Sequence, residues 1–93
     1  MSKVRDNPAE HRFELAIEGS DEPAVAYYQV DGDRLTLTHT EVPQAFAGRG
    51  IGSELARGVF DAIRASGRKA VLRCRFMGGF YARHPEYADI VDG

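Results

Sequence analysis

The sequence predicts a small α/β (α+β) domain: a mixed, mostly antiparallel sheet with an amphipathic helix crossover and a short C-terminal helix. Three observations carry this expectation. Three stretches in the first half are rich in apolar residues that recur at every second position, the period of half-buried strands. Residues 50–65 place their apolar side chains at helical spacing instead. A further alternating stretch follows that helix, and a strand–helix–strand crossover makes its two strands parallel neighbours in one sheet.

Taken in order, residues 1–11 are polar and are expected to be a flexible N-terminus ahead of one domain that spans residues 1–93. Residues 12–18 (RFELAIE) alternate Phe13, Leu15 and Ile17 with charged neighbours, which predicts the first strand. Residues 19–23 carry turn chemistry. Residues 24–30 (AVAYYQV) predict a second strand, rich in Tyr and Val. Asp31, Gly32 and Asp33 make a hairpin turn, and residues 34–42 (RLTLTHTEV) the third strand. There Leu35, Leu37, His39 and Glu41 share one face by strict alternation. Ionisable groups are costly on a core face. Either the strand ends at a cleft, or a bulge turns His39 and Glu41 outward.

The helix is predicted from Gly50 to Ala65, with Ile51, Leu55, Val59, Phe60 and Ile63 on its apolar side and Gly67 as its C-terminal stop. Residues 69–76 (KAVLRCRF) read as the fourth strand. Residues 77–84 fit a short helix that Pro85 ends.

Composition narrows the function. No apolar run approaches membrane-spanning length, the N-terminus lacks a signal-like apolar segment, and the single cysteine has no internal disulfide partner. A cytoplasmic protein without a membrane partner is expected, and no metal. The net charge of −2 is unevenly distributed: residues 1–46 hold four basic and nine acidic side chains, residues 47–83 eight basic and two acidic. That asymmetry suits an anionic partner. Nucleic acid is not expected, because the basic residues form no aromatic-interleaved stripe or known reading motif.

The stretch AFAGRGIGSEL sets Gly48, Gly50 and Gly52 at the entrance of the helix. A helix N-terminus offers unpaired backbone N–H groups and a partial positive charge, and phosphates bind there. Side-chain-free positions let phosphate oxygens approach, and Arg49 adds a charge. The spacing is neither a Walker loop, since Gly52 precedes Ser53 and Glu54, nor a dinucleotide G-x-G-x-x-G.

These residues match a known pattern. VPQAFAGRGIGSEL resembles the coenzyme-A pyrophosphate motif of the GNAT N-acetyltransferases, and GGFYARHPEY (residues 78–87) is similar to their later Phe-Tyr motif. With HTEVP, Cys74 and RHPEY, the chain looks like the small stand-alone branch, the minimal acetyltransferases, over residues 12–91. The resemblance implies acetyl-CoA as co-substrate and an amine acceptor, small molecule or protein. It places Val42, Ala47, Gly48, Arg49, Gly50, Ile51, Gly52, Ser53 and Tyr81 at the coenzyme. Tyr81 would protonate the departing thiolate, and His39 or Glu41 would take the amine proton. Cys74 would either carry the acetyl group covalently or pack as a small apolar residue. Ala47 stands where the family carries Arg or Gln. The chain also lacks the further strands that wall the acceptor pocket in full-length relatives. That implies an open site, a partner subunit such as a second copy, or a large acceptor. A non-enzymatic acyl-CoA-binding or protein-interaction module is the alternative reading.

Overall fold

The computed structural model describes residues 3–93. Five strands form one sheet in the order of the chain: β1 (Arg5–Asn7), β2 (Arg12–Leu15), β3 (Ala24–Asp31), β4 (Arg34–Glu41) and β5 (Lys69–Leu72). The first three pairings are antiparallel, and the β4–β5 pairing is parallel. Helix α1 (Ile51–Ser66) makes the crossover, and α2 (Arg75–Arg83) follows β5.

Alternation decides which face is covered. Phe13, Leu15, Leu35, Leu37 and Ala70 point to one side and are buried with Leu55, Val59, Phe60 and Ile63 of α1 and Met77 and Phe80 of α2. Each fully buried Leu, Ile or Phe contributes about 1.5–3 kcal/mol of transfer free energy. Phe60 stacks on Phe80 at 5.7 Å and on Tyr87 at 5.0 Å, which ties both helices and the 3-10 turn Pro85–Tyr87 into one core. The other face of the sheet carries Arg12, Glu14, Tyr27 and His39 and packs against neither helix.

Helix α1 is bounded by two glycines in left-handed geometry, Gly50 (φ 76°) and Gly67 (φ 75°), of which Gly67 is the stop its sequence predicts. The Gly67 amide closes the helix on the carbonyl of Arg64. Beyond α2, the main chain at Ile90 and Asp92 bonds to both sides of Ala70, forming a parallel bridge between Ala70 and Val91 at the β5 edge. Arg34 holds Asp92 at 2.6 Å and Arg64 holds Asp89, so part of the basic segment serves this closure.

Three expectations change. The flexible N-terminus over residues 1–11 gives way at Arg5. There β1 pairs with β2, and Asp6 accepts a 2.6 Å hydrogen bond from the buried Tyr28 hydroxyl. Residues 1 and 2 lie outside the described residues. The first predicted strand, residues 12–18, stops at Leu15 because the turn begins where the Ser20 amide bonds to the Ile17 carbonyl. The predicted strand 69–76 stops at Leu72, and Cys74 is instead the residue that caps α2. Helical spacing takes over here: Cys74, Met77 and Phe80, three apart, are all buried, while Phe76 is exposed. The C-terminal helix therefore begins at Arg75, not at residue 77.

Candidate active site

The sheet opens beside β4. Parallel pairing ends at Leu37 and Leu72, and a last bond joins the Arg73 amide to the Leu37 carbonyl at 3.0 Å. Strand β4 continues four residues further, while the chain after β5 turns away into α2. The result is a wedge between residues 38–41 and the start of α2. Its floor is marked by Thr40 Oγ1 and Cys74 Sγ, 3.2 Å apart. Cys74 is 8% exposed and belongs to the core.

A bulge sets the side chains of β4. Tyr27 pairs with His39 and Tyr28 with Leu37, which leaves Thr38 without an opposite residue. The Thr38 hydroxyl donates to the Tyr27 carbonyl at 3.3 Å. Past the bulge the alternation inverts. Thr40 faces inward to Cys74, whereas His39 and Glu41 emerge on the open face with side chains 61% and 59% exposed. Of the two arrangements the sequence allows, the bulge is therefore the one adopted. His39 Nε2 and Glu41 Oε2 lie 2.9 Å apart, so the two candidate bases form one dyad.

The loop between β4 and α1 places Val42 against the core and then exposes Ala47, Gly48, Arg49 and Gly50. A short 3-10 turn, Gln44–Phe46, ends where the Ala47 amide reaches the Gln44 carbonyl. Gly48 (φ 79°) and Gly50 both require the left-handed region, and open space lies beyond each Cα. The first intrahelical donor of α1 is Glu54, bonded to the Gly50 carbonyl. The amides of Ile51, Gly52 and Ser53 precede it, and no side chain caps them. Arg49 stacks over Phe46, its guanidinium carbon 5.4 Å from the ring centre, and forms no ion pair among the described residues.

Gly52 serves a different purpose from its two neighbours. A Cβ there would lie 2.6 Å from the Phe76 ring tip, so this glycine seats an aromatic side chain from the first turn of α2. The ring joins the N-terminal ends of the two helices, although the expectation for Gly52 was phosphate access alone. Tyr81 packs half-buried against the core, seven residues beyond Cys74 and so on the same side of α2.

Size alone does not select this region. The larger concavity, about 910 Å³, lies at the β1–β2 corner among Lys3, Arg5, Glu14 and Asp21 and holds none of the expected site residues. A smaller one, about 270 Å³, adjoins the loop at Phe46, Arg49 and Ile51. The wedge is selected by what borders the end of β4: a hydroxyl and a thiol on the helix side, an imidazole–carboxylate pair on the open side, and the loop that leads to the uncapped amides of α1. Thr40, Tyr27 and Phe76 adjoin these residues through the Cys74 contact, the His39 stack and the Gly52 seat, and the sequence assigns none of the three side chains to the site. For Thr40 the one signal is the ambiguous face of HTEV, which becomes informative only once the bulge is placed; Tyr27 and Phe76 carry none. Among the described residues no group of three or more His, Cys, Asp or Glu could hold a metal ion. No described helix is long and apolar enough to cross a membrane.

A family model described as GCN5-related N-acetyl-transferase matches residues 12–90. Protein NATD1 of Danio rerio is 32% identical over 90 residues, which cover 94% of this chain and 82% of that protein. Protein NATD1 of Mus musculus is 32% identical over 84 residues, covering 89% of this chain and 76% of that protein. The solution structure of a GCN5-like protein from Staphylococcus aureus has the same fold. It superposes with a TM-score of 0.72 over the whole of this chain and 92% of that one, at 24% identity.

Proposed function

The chain belongs to the GCN5-related N-acetyltransferase family, and from that premise we propose that it transfers the acetyl group of acetyl-CoA to an amine through the wedge beside β4. The observation that supports this most is the division of groups across that wedge. Uncapped amides lie at the helix entrance, and an imidazole–carboxylate pair lies on the open side.

The residues present suit the coenzyme. Amides at the α1 entrance and the open Cα positions of Gly48 and Gly50 would receive the diphosphate, with Arg49 beside them. Ala47 offers no side-chain ligand, so backbone groups and Arg49 carry this contact. The thioester end would lie in the wedge near Val42, Thr40 and Cys74. An acceptor amine would approach from the open face, where His39 and Glu41 point. The amine nitrogen attacks the thioester carbonyl carbon and forms the C–N bond. The C–S bond breaks, and its electron pair leaves with sulfur. His39, held by Glu41, takes the proton the nitrogen sheds, and the Tyr81 hydroxyl supplies one to the thiolate. General acid–base help of this kind contributes about 10²–10⁴-fold.

A second route would run through Cys74, which lies beside Thr40 in the wedge: the thiol accepts the acetyl group first and passes it to the amine. In the remaining reading the same loop binds an acyl-CoA without transfer, as a binding or interaction module.

The test combines binding with turnover. Acetyl-CoA at ~100 times its dissociation constant should stabilise the fold by about 2.7 kcal/mol, a rise of several degrees in Tm. Mass spectrometry of small amines and peptides should show acetyl transfer. His39→Ala should lower kcat by about 10²-fold or more and leave coenzyme affinity unchanged. No binding by calorimetry overturns the proposal; binding without transfer to any amine leaves the module.

A further inference from the structure

The His39–Glu41 dyad is one end of a longer construction. On the open face, Asn7 Nδ2 donates to Glu14 Oε2 at 3.0 Å, and Arg12 Nε donates to the same oxygen at 2.7 Å. The Arg12 guanidinium then donates to the Tyr27 hydroxyl at 3.2 Å and lies 5.8 Å from the centre of its ring. Tyr27 stacks on His39 with ring centres 6.2 Å apart and planes 17° apart, and His39 meets Glu41. The strand register explains the continuity. Asn7 is opposite Arg12, Arg12 opposite Tyr27, and Tyr27 opposite His39, so one row of cross-strand neighbours runs from β1 to β4.

We propose that Tyr27 and Arg12 are positioning residues that fix the His39 imidazole for proton transfer; this rests on the reading of His39 as the base. Two features separate the row from ordinary surface polarity. An imidazole this exposed turns freely unless something holds it, and Tyr27 is the residue that faces it across the strands. Tyr27 also anchors the bulge itself, because its carbonyl accepts the Thr38 hydroxyl. Tyr27 thus braces both the backbone turn that exposes His39 and the face of its ring, while Glu41 holds the ring nitrogen. Arg12, clamped by Glu14, holds Tyr27 from the other side. Ion pairs at a sheet surface add little stability, so the order this half-buried pair imposes on the row is its larger consequence.

The experiment is a double-mutant cycle on kcat, with acetyl-CoA and an amine that the wild type acetylates. It is read beside ¹H–¹⁵N spectra of the His39 ring in the free protein. Tyr27→Leu should lower kcat about ten- to a hundredfold, the scale of loosening a reacting group by an ångström, with the KM for acetyl-CoA unchanged. Tyr27→Phe keeps the stack and the guanidinium over the ring, loses the Arg12 hydrogen bond and should show a smaller loss; it also guards against a Tyr27→Leu protein that fails to fold. In the His39→Ala background neither change should lower kcat further. The His39 ring signals should shift in Tyr27→Leu. Equal losses in both backgrounds, or unmoved ring signals, overturn the proposal. A wild type that binds acetyl-CoA without turnover overturns the transferase reading instead, and the ring signals then decide the positioning role alone.

Discussion

The two faces of the sheet are built by opposite means. On the helix face, position is set by backbone and shape: positive-φ glycines, uncapped amides, a thiol in the core and a ring seated on a glycine. On the open face it is set by side chains that hold one another across strands, with few buried atoms. The first arrangement suits a carrier that always presents the same diphosphate. The second suits an acceptor that arrives from solvent and need only find its proton acceptor oriented. The contrast is sharp enough to break by substitution.

Gly50→Glu should have the largest effect. The residue is left-handed at φ 76°, and its missing side chain faces open space at the helix entrance. A glutamate there combines backbone strain of roughly 1–2 kcal/mol with a carboxylate where an anion should bind. Coenzyme affinity should fall about a hundredfold or more by calorimetry, as loss of a charge-assisted contact worth about 1.5–3 kcal/mol adds to the repulsion. Gly50→Ala shares the strain and not the charge, and should fall between. Unchanged affinity in folded Gly50→Glu would place the coenzyme elsewhere.

Cys74→Ser comes next, because it asks whether the two faces act in sequence or together. Cys74 is nearly enclosed and already bonded to Thr40. We expect direct transfer, with turnover of Cys74→Ser within a fewfold of wild type and a loss of about 1–3 kcal/mol in stability for the buried hydroxyl. An acetyl adduct on intact protein that vanishes in Cys74→Ser, together with lost turnover, would establish the covalent route.

How much of this contrast was legible follows from its physics. The helix face was read well. The Gly67 stop, the apolar stripe from Ile51 to Ile63 and the crossover all depend on local residue type; the left-handed turn at Gly50 was not read. The open face was read only as a choice. Whether His39 points in or out depends on a bulge opposite Tyr27, and no residue in RLTLTHTEV marks it. Cys74 was placed on a strand because KAVLRCRF alternates through Phe76; the structure buries Cys74 with Met77 and Phe80 at helical spacing and leaves Phe76 exposed. The N-terminal strand was missed because RDN has no apolar pattern; it is held by pairing and by the Tyr28 contact. The seat that Gly52 makes for Phe76 was not legible, since that ring comes from an element 24 residues further along the chain.

That last point gives a smaller prediction. Gly52→Ala forces the Phe76 ring aside. The ring is 39% exposed and free to swing, so the cost should be about 1 kcal/mol, at the low end for overpacking. In a Phe76→Ala background the same change should be neutral or stabilising, since alanine is favoured over glycine within a helix by about 1 kcal/mol. Denaturant unfolding of the four proteins measures both. Equal costs in the two backgrounds would remove Phe76 as the reason for this glycine.

The smallest effect separates the two adjacent tyrosines of β3. Tyr27 serves the open face; Tyr28 is buried against Phe13, and its hydroxyl bonds to Asp6. Burial, then the Asp6 carboxylate, pushes the Tyr28 phenol up to about 12. The folded protein therefore resists ionising a group that ionises near 10 once unfolded. The stability this contributes is fully present below pH 10 and is lost as pH rises from about 10 to about 12. Tyr28→Phe should be less stable at neutral pH by about 1 kcal/mol, one hydrogen bond. It should also lose the part of the alkaline decline that belongs to this group, so the two unfolding curves converge above pH 10. Tyr27→Phe should leave that decline in place, because the strand turns its side chain to the other face. Parallel curves for wild type and Tyr28→Phe between pH 8 and about 12 would show that another group governs the alkaline limit.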